Sequence, residues 1–245
     1  DKKPNTESTA FKGLSSLAKA HKTYLAGAVP VIAKGGKTVQ TLGFLFGPDG
    51  KLLFRTPKIT PDYLMGFSDS TCELGKKAKF PVAKTPLGVI GLLVGEDIFQ
   101  TQLGRSLTWS GAEIILNPAI ERRDFSYEAR LNARLVRAYE NLSYVATATP
   151  SHVTRNGHKV SLPPGCAFNT WTYRQIRIGK DETFITAAAD IETLRIRRQN
   201  PYYNPPVHVR ANLYVKGFQS VKKQQPKRAI PKTKQGWIKE ATART

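Results

Sequence analysis

The stretch 91–99 reads Gly-Leu-Leu-Val-Gly-Glu-Asp-Ile-Phe and places a glycine and two acidic residues directly after an apolar run. An apolar run of this length is typical of a buried strand. The turn that follows such a strand is a common place for catalytic groups. Gly95, at the centre of this turn, has no side chain and can supply no nucleophile. The sequence thus predicts the frame of an active site without its central group.

The two cysteines of the chain, Cys72 and Cys166, are the obvious candidates for a thiol nucleophile. Cys72 lies in a predicted loop before the strand and Cys166 in a later predicted hairpin, so neither is expected at Gly95. Two cysteines at this separation form neither a disulfide framework nor the spacing of a metal site. We therefore expect a reducing compartment, no bound metal and no cofactor.

The charge balance indicates the class of partner. The chain holds 38 Lys and Arg against 18 Asp and Glu, which gives a net charge of +20. A surface of this sign attracts polyanions, so RNA, DNA or an anionic membrane is the expected partner. The alternative is a soluble intracellular protein that is simply basic. No apolar run is long enough to span a membrane, no secretory signal is visible, and the first residue, Asp1, suggests a processed or trimmed chain.

The chain has 245 residues, 40% of them hydrophobic, and can form one large domain. Its middle alternates strand, helix, strand, helix, strand, with hairpins on either side, which predicts an α/β protein with a mixed sheet or two sheets. Residues 47–50 and 85–88 are predicted hairpin turns, and 59–80 a long loop. The predicted helices are 10–21, 101–110 and 127–142, the last with Ser126 as N-cap; the predicted strands are 24–32, 39–46, 51–55, 81–84, 89–94, 113–116 and 144–148, followed by hairpins over 165–190.

The last 29 residues, 217–245, differ from the rest of the chain. They carry eight basic residues and one acid, a net charge of +7, and they leave +13 on residues 1–216. This composition predicts an extended basic tail. Trp237 and Ile238 within it favour docking on a partner over a freely solvated tail. The candidate RNA-binding residues of the tail are Lys222, Lys223, Lys227, Arg228, Lys232, Lys234, Lys239 and Arg244.

Several segments follow one another in an order that is specific, although each segment is weak alone. They are GFLFGPDGKLLFRTPKITP, KTPLGVIGLLVGEDIF, GRSLTWSGAEIILNPA, RLVRAYENLSYVATATP and, near the end, PYYNPPVHVRANLY. Over about residues 10–214, this order resembles the nitrilase superfamily of carbon–nitrogen hydrolases. The resemblance implies a four-layer αββα sandwich that dimerises through the helices after the nucleophile strand. It implies domains of 1–9 (polar lead-in), 10–216 (nitrilase-like) and 217–245 (basic extension).

The resemblance also implies a chemistry. A Cys thiolate attacks an amide or nitrile carbon, a Glu acts as general base, and a Lys stabilises the tetrahedral intermediate. The family's Lys falls on Lys58, and its nucleophile position falls on Gly95. The first Glu belongs to an N-terminal strand–helix–strand unit that we expect this chain to lack, and an auxiliary Glu would fall near Asp62, whose carboxylate could mimic it. Lys58, Gly95 and Asp62 are therefore expected to be remnants, and Arg137 and Glu140 to stabilise the sandwich through buried ion pairs.

Three functions follow as hypotheses. The first is a catalytically inactive scaffold subunit of an RNA-containing complex, with an organellar ribosome in the mitochondrial matrix as its specific form. The second is an active amidase or nitrilase with divergent catalytic residues. The third is a sensor that binds an amide or carboxylate at Lys58. The charge favours the first, supported by the basic pairs Lys76-Lys77, Arg122-Arg123 and Arg197-Arg198.

Overall fold

The computed structural model describes residues 6–32, 39–60, 80–155, 157–178 and 184–224. Five helices and eleven strands lie within these ranges. The helices are α1 Thr6–Ala20, α2 Thr101–Trp109, α3 Tyr127–Asn141, α4 Ile191–Gln199 and α5 Ala211–Gln224; the strands are β1 Leu25–Ile32, β2 Val39–Phe46, β3 Leu52–Pro57, β4 Val82–Thr85, β5 Gly88–Leu92, β6 Ile114–Pro118, β7 Tyr144–Ala148, β8 His152–Arg155, β9 His158–Ser161, β10 Ala167–Asn169 and β11 Gln175–Arg177.

The first sheet is an antiparallel set of three strands in the order β1-β2-β3, with helix α1 on one face. Both faces of this sheet are buried, and the side chains of strand β2 show the reason. Phe44 and Phe46 pack against Ala18 of α1, whereas Gly43 and Leu45 alternate to the opposite face. Leu45 is fully buried there. A strand with apolar side chains on both faces must be covered on both sides.

The second sheet has six strands in the order β11-β10-β7-β6-β5-β4. Its centre, β5-β6-β7, is parallel, and the outer pairings are antiparallel. Helices α2 and α3 cover one face, where Leu107 and Ala138 pack with Ile115 and Val145. The carboxyl ends of β5 and β6 therefore open at one edge of the sheet, beside the start of α3.

The two sheets pack face to face through a close approach at Gly43. A Cβ atom there would lie 2.3 Å from Leu92 Cδ2 and 2.7 Å from Val94 Cγ2, so any side chain at this position would force these neighbours to shift. The layers run α1, first sheet, second sheet, then α2 with α3. This arrangement confirms the expected αββα sandwich.

Helix α4 lies outside the four predicted layers and was not anticipated. Asp190 caps it by accepting a hydrogen bond from Thr193 N at 2.9 Å. Leu194 is fully buried against Tyr144 and Phe168 of the second sheet. Arg195 donates to the carboxylate of Glu113 through two nitrogens, at 2.6 and 3.0 Å. The helix thus closes one end of the sandwich with an apolar contact and a bidentate ion pair.

Most predicted elements are confirmed, with ends that match or are shifted by no more than four residues. The tail prediction is wrong where it can be compared, because residues 217–224 belong to α5 and are helical rather than extended. Tyr214 and Phe218 stand four residues apart on this helix, a spacing that total charge does not reveal. Helix α1 likewise begins at Thr6, inside the predicted lead-in. The boundaries 1–9, 10–216 and 217–245 stay predictions.

The prediction that Ser126 is the N-cap residue of α3 is confirmed for its position. Ser126 occupies the N-cap position, but its hydroxyl makes no cap hydrogen bond. The hydroxyl donates to Asp124 Oδ1 at 2.8 Å and accepts from Arg130 at 2.5 Å. The stronger charged partners therefore outcompete the backbone donor.

Candidate functional site

Lys58 follows β3 and lies at the centre of the candidate site. Its side chain is only 4% exposed, and its Nζ lies 2.9 Å from Glu96 Oε2. The ammonium also donates to the backbone carbonyl of Thr60. A buried cation needs such partners because it has lost its water. The sequence predicted Lys58 at the site, but it did not predict Glu96 as its partner.

Gly95 begins a 3-10 helix, Gly95–Phe99, that follows β5. Its φ angle is +53°, in the left-handed region that favours glycine. A Cβ atom at this position would lie 3.1 Å from Lys58 Cε. The two predicted site residues therefore lie side by side, although 37 positions separate them in the sequence.

Asp97 ties the Lys58 loop to the 3-10 helix. Its Oδ1 accepts from Thr60 N at 2.6 Å, and its Oδ2 accepts from Ile59 N at 3.1 Å. Burial raises the pKa of Asp97, and the hydrogen bonds from Thr60 and Ile59 oppose that rise. Asp97 therefore has a structural role, because it binds the residues that follow Lys58 to the helix that begins at Gly95.

Asn117, at the carboxyl end of β6, fixes the turn from the other side. Its Nδ2 donates to Leu93 O at 2.8 Å and to Gly95 O at 3.0 Å. Its Oδ1 accepts from Arg134 Nε at 2.9 Å, so the amide is held by three polar contacts. The sequence interpretation used Asn117-Pro118 as the end of a strand and as part of the motif order, and it assigned Asn117 no contact at the site.

Arg134 of α3 connects the hydrogen bonds of Asn117 to an ion-pair network on this helix. It is almost fully buried, pairs with Glu121, and lies over the Phe99 ring at 5.2 Å from the ring centre. Burial lowers the pKa of Arg134, and the charge of Glu121 counteracts it. Glu121 also accepts from Arg130 Nε at 2.9 Å. Sequence reasoning missed this network, although arginines at positions 130 and 134 share one face of a predicted helix.

Arg137 and Glu140 form an ion pair with each other within α3. Arg137 Nε also donates to Ile98 O at 3.2 Å and so binds α3 to the 3-10 helix. Cys166 is engaged elsewhere, because its Sγ accepts from Thr149 N at 3.3 Å and donates to Thr149 O at 3.5 Å.

Several predicted residues cannot be placed. Asp62 and Cys72 lie outside the described residues, as do six of the eight basic tail positions. Lys222 and Lys223 lie on α5. Within the described residues, no group of acidic, histidine or cysteine side chains could hold a metal ion, and no helix is long and apolar enough to cross a membrane. The tail positions outside the described residues are Lys227, Arg228, Lys232, Lys234, Lys239 and Arg244.

The geometry defines a buried cation paired with a carboxylate, set beside a glycine at the carboxyl edge of a parallel strand. The Carbon-nitrogen hydrolase family model matches residues 3–178. This match spans more than half of the chain, and the chain therefore belongs to the carbon–nitrogen hydrolase family. No curated protein sequence matches the chain significantly.

Solved structures of this fold confirm the architecture. Nit3 of Saccharomyces cerevisiae, a member of branch 10 of the nitrilase superfamily, has 21% identity and a TM-score of 0.67, over 78% of this chain and 68% of that one. A mutant amidase from Nesterenkonia sp. AN1, with acrylamide added to its active-site cysteine, has 17% identity and a TM-score of 0.65, over 86% and 75%. Another mutant of that amidase, in complex with butyramide, has 19% identity and a TM-score of 0.59, over 70% and 63%.

Proposed function

We propose that this chain is a catalytically inactive carbon–nitrogen hydrolase that serves as a scaffold subunit of an RNA-containing complex. The observation that carries the proposal is Gly95, at the end of β5 and beside Lys58, where the family resemblance places the nucleophilic cysteine. The similar Nesterenkonia amidase forms an adduct at an active-site cysteine. With glycine at that position, covalent attack on an amide carbon has no nucleophile.

The partner of Lys58 supports the loss of activity. An oxyanion-stabilising lysine must offer its charge to the intermediate. In this chain Glu96, the residue directly after Gly95, already neutralises the Lys58 ammonium at 2.9 Å. Binding an anionic intermediate would require this ion pair to break inside a buried site, at substantial energetic cost.

The net charge of +20 supports RNA as the partner. The basic residues are spread over the body and the tail, which suits contacts to phosphates and to RNA shape rather than to base edges. The specific complex that we propose is an organellar ribosome, which would place the chain in the mitochondrial matrix.

Hydrolysis is tested with purified protein and butyramide, with the Nesterenkonia amidase as positive control. We expect no ammonia release above buffer. Gly95→Cys should also stay inactive, because Glu96 still neutralises the Lys58 ammonium. Turnover by the native protein would overturn the inactive assignment.

Complex formation is tested by sedimentation of the tagged native protein from low-salt lysate. Migration in a large particle that collapses after RNase treatment would support the RNA scaffold. Migration as a small species indifferent to RNase would contradict it. Co-sedimentation with organellar ribosomal RNA from purified mitochondria would test the specific placement.

The second candidate is an active hydrolase with divergent catalytic residues. Lys58 and Glu96 favour it, because a buried cation and carboxylate lie together in a fold shared with amidases. Amide turnover that is lost in Lys58→Met would establish this function.

We also propose that the chain dimerises through α2 and α3. Trp109 on α2 and Tyr139 on α3 are each about half exposed, although both are large apolar side chains. Tyr139→Glu should shift sedimentation equilibrium towards monomer, whereas Tyr202→Glu, at another exposed tyrosine, should not.

A further inference from the structure

The loop that joins β6 to α3, residues 119–126, has a conformation fixed by buried charges. Arg130 of α3 reaches back to it and donates to Glu121 Oε2 at 2.9 Å and to Asp124 Oδ1 at 2.8 Å. Arg130 also donates to the backbone carbonyl of Arg122. These contacts fix the path of the loop through side-chain and main-chain bonds alike. Such a loop can bind a partner with little loss of conformational freedom.

This fixed loop presents an aromatic ring to solvent. Phe125 is completely exposed, more so than any other large apolar side chain in the part of the chain that the structure describes. Arg122 and Arg123 precede it; Arg122 lies 3.9 Å from Asp124, and Arg123 lies over the Tyr127 ring. An exposed aromatic side chain that directly follows basic residues along a loop can stack on a base while its basic neighbours contact phosphates.

The chain segments that lead into and out of the hairpin β8–β9 lie close to this loop. Ala119 N of the loop donates to Ala148 O, before β8, at 3.0 Å. The hydroxyl of Tyr127, directly after the loop, donates to Pro164 O, after β9. Lys159 and His158 on β9 are exposed. Residues 149–166 contain no acid, and both acids of the loop are bound to Arg130. The surface is therefore positively charged.

We propose that the loop 119–126 and the hairpin β8–β9 form a binding surface for single-stranded RNA. Phe125 stacks on an unpaired base, and Arg122, Arg123 and Lys159 contact the flanking phosphates. A single strand is favoured because the base faces of a duplex are covered by their neighbours. A positive surface with its acids neutralised fits a polyanion better than a protein of mixed charge. The inference rests on the proposed RNA-binding function and locates it on the folded body.

The test measures fluorescence anisotropy of a labelled 16-nucleotide oligouridine and of a 16-base-pair RNA duplex with the purified full chain. Phe125→Ala should weaken single-strand binding about tenfold, the effect typical of one lost stack, and leave duplex binding unchanged. Phe125→Trp should restore binding because its ring also stacks. Phe184→Ala, at another highly exposed phenylalanine, should leave both affinities unchanged.

The phosphate contacts are tested by salt dependence. Removing two contacts in R122Q/R123Q should reduce the slope of log affinity against log salt by about 1.4, since each single-strand contact contributes about 0.7. A tail variant, K222Q/K223Q/K227Q/R228Q, should also reduce the slope, while retaining the tenfold effect of Phe125→Ala when the two are combined.

The outcomes separate this inference from the proposed function. If the native chain binds neither RNA, both are overturned. If it binds RNA but Phe125→Ala behaves like Phe184→Ala, RNA binding stands and the surface assignment fails. If Phe125→Ala leaves oligouridine affinity unchanged but is lost from the native particle, the loop contacts a protein, and the assignment to RNA is overturned.

Discussion

Lys58 Nζ and Glu96 Oε2 lie 2.9 Å apart, and both side chains are almost wholly excluded from solvent. Their backbones come from different parts of the sandwich: Lys58 follows a strand of the first sheet, and Glu96 follows a strand of the second. The ion pair therefore connects the two sheets at the candidate site. A residue that the family resemblance assigns to chemistry thus also joins the two layers.

Removal of the Glu96 charge should destabilise the fold strongly. Glu96→Gln leaves the Lys58 ammonium buried beside a neutral amide, and losing one partner of a buried pair typically costs about 3–5 kcal/mol. Urea unfolding followed by circular dichroism measures the change. Asp49→Asn, which breaks the exposed pair with Lys51, is the matched control and should leave the free energy of unfolding nearly unchanged. Equal effects of the two variants would show that the Lys58–Glu96 pair is not a structural bond.

A side chain at Gly95 should also be unfavourable. Gly95→Ala places a Cβ in the left-handed region and 3.1 Å from Lys58 Cε. The left-handed conformation alone costs about 1–2 kcal/mol. Gly13→Ala is the control, because Gly13 lies in α1 with open space around it, and alanine should stabilise a helix interior by about 0.5–1 kcal/mol. Thermal unfolding should therefore shift the two midpoints in opposite directions, and a rise for Gly95→Ala would contradict this reading.

Lys58 and Gly95 could be predicted as site residues from the order of motifs along the chain. The apolar run before Gly95 required a buried strand, and the motif order placed Lys58 near it. The pairing of Lys58 with Glu96 could not be predicted, because the strand pattern does not tell which of two neighbouring acids, Glu96 or Asp97, points towards the cation. The structure gives Glu96 the ion pair and Asp97 the backbone donors of Ile59 and Thr60.

Three elements of the fold were missed, for different reasons. The hairpin β8–β9 had a usable signal, because the sequence Asn-Gly at 156–157 is typical of a two-residue hairpin turn. Helix α5 was not predicted, because the sequence interpretation relied on the basic composition of 217–245. The helical spacing of Tyr214 and Phe218 was not taken into account. Helix α4 is held by tertiary contacts of Arg195 and Leu194. Its position on the second sheet could not be inferred from a local pattern.

The stability that Asp124 contributes through the loop 119–126 should depend on pH in the acidic range. Hydrogen bonds from Arg130 and Ser126 lower the pKa of Asp124 from 3.8 to about 2. Because the native pKa is depressed, the stabilising contribution of Asp124 is complete above pH 3.8 and is lost as the pH falls towards 2. Urea unfolding between pH 2 and 6 measures the free energy of unfolding of the native protein and of Asp124→Asn. The two stability curves should be separated at pH 6 and converge near pH 2; a separation that persists unchanged at pH 2 would exclude this titration.

The close approach of the sheets at Gly43 should control the position of the site. Gly43→Ala would place a methyl group 2.3 Å from Leu92 Cδ2 and 2.7 Å from Val94 Cγ2. Overpacking of this kind costs about 1–3 kcal/mol. Since Val94 immediately precedes Gly95, relief of the clash should also move the turn that carries Glu96 away from Lys58.

Gly217→Ala, with no atom within 4 Å of the added carbon, is the control. We expect Gly43→Ala to lower the urea midpoint and to reduce the destabilising effect of Glu96→Gln in the double variant, because the displaced pair has less interaction left to lose. Strict additivity of the two substitutions would show that the packing at Gly43 and the Lys58–Glu96 pair are independent.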